Sequence, residues 1–256
     1  MSNFTTPVKE AFGRYLERFY AQLVADTPAM TEYTTRGFSK SAVWAPGRMI
    51  DQVEEMLAAW RKNDTSQAAR ATTYLPIMIA AMSKDYIPAP ADFSRQLADP
   101  VMVTLPNDPK GRVFSMRAVV CEIRAQVAVC APEEATARSI AMQLQLFSSA
   151  MGNRRFYANY LLAGFSEPWP VVFEMPEIMA INVQNDQKNL TIQTVDFTMR
   201  ATVPLLRHPG LNDVDSDDRG TNDTTDPDGY LVVRQGDIKA RPGVIAAPPD
   251  AWTVVP

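Results

Sequence analysis

Along two stretches of this 256-residue chain, every second residue is apolar for eleven positions. From Val119 to Val129 the odd positions are Val119, Cys121, Ile123, Ala125, Val127 and Val129, with Glu122, Arg124 and Gln126 between them. From Val195 to Leu205 the odd positions are Val195, Phe197, Met199, Ala201, Val203 and Leu205, against Thr194, Asp196, Thr198, Arg200 and Thr202. A period of two places alternate side chains on opposite faces of a strand, so each stretch predicts one buried and one polar face. A typical strand has about 5 to 6 residues. Both are therefore expected to run past the edge of one small core.

Helical periodicity appears at three places. Val8, Phe12, Tyr15, Leu16, Phe19, Tyr20 and Leu23 recur at three and four behind Thr6 and Pro7, a capping residue and a residue suited to the first helical position. The aromatics of this helix are expected in the core. A loop is predicted from there through Gly37, and Pro46-Gly47 opens a second helix whose face is Ile50, Val53, Met56, Leu57 and Trp60. The third helix follows Ala131-Pro132-Glu133-Glu134, where proline and two carboxylates suit a helix start. Its buried face is expected to be Ile140, Leu144, Phe147 and Met151, with Gly152-Asn153 as the stop.

Between these lie further strand signals. Tyr74 to Met82 reads as a strand whose Pro76 places it at a sheet edge or a strand start. Prolines from Pro88 to Pro109 punctuate an extended stretch, which ends in the turn Asn107-Asp108-Pro109-Lys110-Gly111. Strands are expected near Val171 to Phe173 and Glu177 to Val183, with Gln184 to Asn189 as a hairpin connection to the second long strand. Segregated helices and hairpins predict an α+β fold: an antiparallel or mixed sheet with long strands, and helices packed on it.

Composition then divides the chain. Residues 211 to 256 hold nine acids and four bases, a net of −5, which leaves 20 acids and 21 bases in the other 210 residues, a net of +1. Residues 211–229 offer almost nothing to bury and are expected to be a flexible acidic linker. Residues 230–256 carry apolar islands at Tyr230, Leu231 and Val232, at Val244-Ile245 and around Trp252, separated by glycine and proline. An apolar arm on a polar leash is expected to dock on another subunit or partner. The organisation is therefore an α+β domain over 1–210, a linker over 211–229 and an extended C-terminal arm over 230–256.

The near-neutral body argues against a dedicated nucleic-acid binder. No run of eighteen apolar residues predicts a membrane-spanning helix, and the first residues do not read as a signal peptide. Cys121 and Cys130 fall at or near opposite ends of one strand, too far apart to bridge, and read as buried thiols. Phosphate-loop, nucleophile-elbow, His-Glu-x-x-His and Cys-x-x-Cys motifs are absent, and the one histidine, His208, lies beside a proline at the end of the domain. Neither catalytic residues nor a cofactor or metal site is expected. Asp213-x-Asp215-x-Asp217 begins like a calcium loop, but Asp218 and Thr224 stand where glycine and glutamate belong. Arg154 and Arg155 beside Phe156, Tyr157 and Tyr160 admit two readings, a phosphate and base grip or a subunit contact. The candidate interface residues are accordingly Arg154, Arg155, Tyr157, Tyr230, Leu231, Val232 and Trp252.

The element order carries a resemblance. An aromatic N-terminal helix, then Tyr74-Leu75-Pro76-Ile77-Met78-Ile79 leading to Tyr86, a long strand into a helix, and Met175-Pro176-Glu177 before a hairpin whose long strand ends at Pro204 together resemble the tail terminator family of contractile-tailed phages. These proteins are also called sheath stabilisers or gateway proteins. The resemblance spans about residues 8 to 210. It implies a virion protein of the tail and neck, assembled in the host cytoplasm into a homohexameric ring. Such a ring caps the tail tube and sheath and joins them to the head-neck complex. DNA passes through its lumen without specific binding, and neither enzyme activity nor cofactor is implied. The alternatives are another neck, sheath or baseplate component, and an enzyme with a carboxylate-based site.

Overall fold

In the computed structural model, residues 5–45, 75–83, 87–88, 97–106, 113–162, 164–173, 178–183 and 190–207 are described. Their elements are α1 (Thr6–Tyr20), α2 (Pro28–Thr35), α3 (Phe38–Ser41), β1 (Ala42–Trp44), β2 (Ile77–Met82), β3 (Ile87–Pro88), β4 (Leu97–Thr104), β5 (Val113–Ala131), α4 (Glu134–Ser149), β6 (Arg155–Leu162), β7 (Phe165–Phe173), β8 (Ala180–Val183) and β9 (Thr191–Arg207). A short 3-10 turn, Met151–Asn153, links α4 to β6. The fold is α+β.

The two alternating stretches form the centre of one nine-stranded sheet ordered β1-β2-β5-β9-β7-β6. Strand β5 has 19 residues and β9 has 17, both longer than the alternation alone delimits. They pair antiparallel without a break from Ser115 opposite Arg207 to Ala131 opposite Thr191. The other edge of β5 is shared in turn by β4, β3 and β2, and that of β9 by β8 and β7. Among the described strands only β1 runs parallel to its neighbour, which makes the sheet mixed.

The buried face changes along this ribbon. From Cys121 onward the odd residues of β5 are buried, together with the odd residues of β9 up to Val203. Towards the other end the even residues Phe114, Met116, Ala118 and Val120 are buried, with Pro204 opposite Ala118 also buried. Val119 is half-buried, and Leu205, expected inside, is 51% exposed. Register is unbroken, so no residue has slipped. Strand twist turns a ribbon of this length until opposite faces meet the interior at its two ends.

Helices α1 and α4 supply the main core above the odd face. Phe12 of α1 packs edge-on against Phe197 of β9 at 5.5 Å between ring centroids, and Tyr15 against Phe173 of β7 at 5.0 Å. The Tyr15 hydroxyl donates to Ser148 Oγ of α4 at 3.0 Å, and burial pushes its pKa up to about 12. A smaller cluster lies on the opposite face, where Ile77, Ile79 and Ala81 of β2 meet Ala128 and Cys130 of β5 and Ile192 of β9. Both cysteines are buried and neither forms a disulfide.

Several boundaries differ from the sequence reading. Thr6 is the first residue of α1 rather than its cap; Thr5 precedes it and its side chain makes no capping bond. The loop expected up to Gly37 contains α2, capped by Thr27 Oγ1, which accepts from the Met30 amide at 3.2 Å. Met30 and Tyr33 are its only buried residues, too few to show a helical period. The Tyr20 hydroxyl donates to the Tyr33 carbonyl, and Arg36 Nε donates to Ser41 Oγ at 3.0 Å, which hold α2 and α3 together. Glu133 is the residue before α4, so Pro132 lies outside that helix; Met151 falls beyond its end and is 82% exposed. Pro76 stands just before β2, which lies between β1 and β5, so it marks a strand start and not a sheet edge. The helix expected after Pro46-Gly47, the turn at Asn107 to Gly111, His208, the aspartate run and the arm over 230–256 lie outside the described residues.

Candidate interaction surface

Three surfaces carry chemistry or unsatisfied contacts. The first is a polar ladder on the even face of the central ribbon, where Glu122, Arg124 and Gln126 of β5 stand opposite Arg200, Thr198 and Asp196 of β9. Arg200 reaches Glu122 at 3.5 Å, with the two side chains 12% and 24% exposed. Opposite charges directly across an antiparallel pair stabilise it modestly. The ladder is half-buried apart from Arg124, which is exposed.

The second is a cleft of about 250 Å³ beside β9, where the end of β7 and the start of β8 leave a gap, lined by Phe173, Ile178, Met179, Ile181, Asp196, Phe197 and Thr198. One carboxylate oxygen of Asp196, Oδ1, is buried there and makes no hydrogen bond. A carboxylate-based hydrolytic site needs a second titratable group in range. The residues that line this cleft provide only one. Among the described residues, no three His, Cys, Asp or Glu side chains are grouped to hold a metal ion.

The third surface is β6, the outermost strand beyond β7. Its burial alternates strictly: Arg155, Tyr157, Asn159 and Leu161 are exposed, while Phe156, Ala158, Tyr160 and Leu162 are buried. The Arg155 guanidinium lies over the Tyr157 ring at 5.4 Å, a cation–π contact on the outer face. Arg154 is separate from this pair: its Nε donates to the Ser149 carbonyl at the end of α4, at 3.1 Å. Phe156 and Tyr160 face the core, so of the three aromatics considered as base-stacking platforms only Tyr157 is presented to a ligand. Burial, with the nearby Cys121 thiol, pushes the pKa of the Tyr160 hydroxyl up, and its oxygen has no hydrogen-bond partner. Of the candidate interface residues, the structure thus brings Arg155 and Tyr157 together. Tyr230, Leu231, Val232 and Trp252 lie outside the described residues.

Backbone geometry shows which way this edge points. The Phe173 amide donates to the Arg154 carbonyl at 2.9 Å, so odd residues of β7 direct their N–H and C=O groups toward β6. Pro168 and Pro170 are even, paired with Asn159 and Tyr157, and therefore point toward the β9 side. That side is unpaired there, because β7 meets β9 only from Val171 to Phe173, so the missing proline N–H groups cost no ladder bond. By the same alternation, Arg155, Tyr157, Asn159 and Leu161 turn their own backbone groups away from β7. Among the described residues nothing pairs with that edge.

Sequence reasoning placed no strand at Arg155–Leu162 and gave β7 only its last three residues. The alternation of Phe156, Ala158, Tyr160 and Leu162 was the available signal. An apolar Leu161 and Tyr157 on the outer face blurred it, and Pro168 and Pro170 masked β7. No known protein-family model matches the chain, and no curated protein matches it.

Proposed function

We propose that this chain is a structural subunit of a contractile phage tail, a tail terminator that forms a ring, hexameric by family resemblance. The ring caps the tube and sheath and joins the tail to the head-neck complex. The observation that carries the reading is the ribbon of β5 and β9. Seventeen paired rows extend about 55 Å at 3.3 Å per residue, whereas the 16 residues of α4 cover about 24 Å. Long strands that outrun their helical cover suit a subunit that completes its surface against neighbours, and head-to-tail contacts of that kind close into rings. The element order supports the same assignment, and a near-neutral body suits a lumen through which DNA slides without being held.

On this reading the protein has partners rather than a substrate: its own copies, the tail tube, the sheath and the neck proteins. The arm over 230–256 clasps one of them. Particles assembled without the protein should have tails of uncontrolled length, or tails that fail to join heads. Normal, infectious virions in its absence would refute the assignment.

A further inference from the structure

We propose that the free edge of β6 receives the segment Tyr230 to Arg234 of a second copy of this chain, added as a further strand parallel to β6. The inference rests on the self-assembly just proposed, and names the surface on which the arm lands.

The edge itself is the first argument. Exposed edge strands are normally short, bulged, interrupted by proline or studded with lysine, because a regular edge is a template for pairing. Strand β6 has eight residues, an unbroken register with β7, and neither proline nor lysine. Its outer positions include Leu161, 77% exposed, and Tyr157, 48% exposed. At the opposite margin of the sheet, β1 has only three residues.

The occupant follows from sequence and charge. Tyr230-Leu231-Val232-Val233-Arg234 is rich in β-formers, and alternation would set Leu231 and Val233 on the core side of the sheet. Arg154 and Arg155 stand at the start of β6, and among the described residues no carboxylate is paired to them, while the Leu161-Leu162 end is uncharged. Asp226 and Asp228 precede the segment and Arg234 ends it. Parallel addition sets acids beside arginines, whereas antiparallel addition sets Arg234 beside them. Charge therefore selects the parallel orientation.

Chain length reaches either the chain's own edge or a neighbour's, and the self-assembly proposed above assigns the edge to a second copy. Strand β9 is parallel to β6 through β7, with Ala201, Val171 and Phe156 in one row, so the chain leaves Arg207 near the Leu162 end of its own β6. Doubling back to Arg155 needs only about eight extended residues at 3.3 Å each. The 22 residues from 208 to 229 far exceed this. A random coil of 22 residues would have a root-mean-square span of about 26 Å and a limit near 75 Å. The upper part of that range also reaches a neighbouring domain, since about 200 residues fold to a radius of gyration of about 16 Å, and the crosslink below separates the two.

The test uses full-length chain carrying Tyr157→Cys and Tyr230→Cys, with each single variant as control; Cys121 and Cys130 are buried. Mild oxidation of the double variant should give reducible species at multiples of 28.4 kDa that neither single variant gives. Adding Asn159→Pro, which removes an N–H facing the free edge and no bond to β7, should abolish these species without moving the unfolding midpoint. An assembled but uncrosslinked protein, a crosslink confined within one chain, or crosslinking that survives Asn159→Pro would overturn the inference and leave assembly standing. A chain that stays monomeric by mass would remove the assembly reading, and this inference with it.

Discussion

Replacing Phe197 with alanine tests the layout of the core where α1, β7 and β9 meet. Its ring is 2% exposed and lies 5.5 Å from Phe12 of α1 and 5.2 Å from Phe173 of β7. Truncating a buried phenylalanine costs about 3 to 5 kcal/mol, and two aromatic contacts at these distances keep it from the low end of that range, at about 4 kcal/mol. The neighbouring Thr198 lies on the opposite face and is half-buried. Thr198→Ala should cost below about 1 kcal/mol. Urea unfolding followed by tryptophan fluorescence, at one fixed protein concentration, separates the two. With a slope of about 2 to 3 kcal/mol per molar, the Phe197→Ala midpoint should fall by about 1.3 to 2 M, with the slope unchanged. Equal losses from the two substitutions, or a loss below about 1 kcal/mol for Phe197→Ala, would refute the face assignment of β9.

The Glu122–Arg200 pair should show a coupling of about 1 kcal/mol in a double-mutant cycle of Glu122→Gln and Arg200→Gln, reduced by added salt; additive effects would remove it from the ladder's energetics. Stability should fall on the alkaline side, because burial raises the Tyr15 hydroxyl to about 12 and the Cys121 thiol to about 11, so the unfolded chain loses these protons first. The contribution is complete below about pH 8, where both groups are protonated in either state, and is lost as pH rises from there through 11 to 12. Unfolding midpoints measured across that range should decline less steeply in Tyr15→Phe, and parallel declines would count against the raised hydroxyl.

What could be read from the chain was set by how many residues repeated a period. The two long strands and α1 were legible because five or more side chains on one face of each had to be apolar for burial. Helix α2 was not, since Met30 and Tyr33 are its only buried residues and Thr27-Pro28 was its remaining signal. The ends of the ribbon misled for a different reason. Leu205 continues the apolar period, yet twist has by then turned the odd face outward, and alternation carries no information about where that happens. Edge status is likewise a property of the whole sheet. The outward backbone of β6 became visible only once β7, with its two prolines, was seen to pair on one side. Arg155 and Tyr157 could be named from sequence; the free edge they border could not.

The unbroken register of β5 and β9 also has a mechanical meaning. Two antiparallel strands pulled at the same end separate one hydrogen-bonded pair at a time, whereas strands pulled lengthwise from opposite ends load every pair at once. Strand β5 passes directly into α4, and β9 ends at Arg207, where the chain runs on toward the arm. The first residue of α4, Glu134, and Arg207 lie at opposite ends of the ribbon, because Ala131 is paired with Thr191 and Ser115 with Arg207. Tension applied between the helix-anchored end of β5 and the C-terminal end of β9 is therefore borne in shear across all seventeen rows. The ribbon acts as a tie rod, resisting axial load far better than it resists peeling.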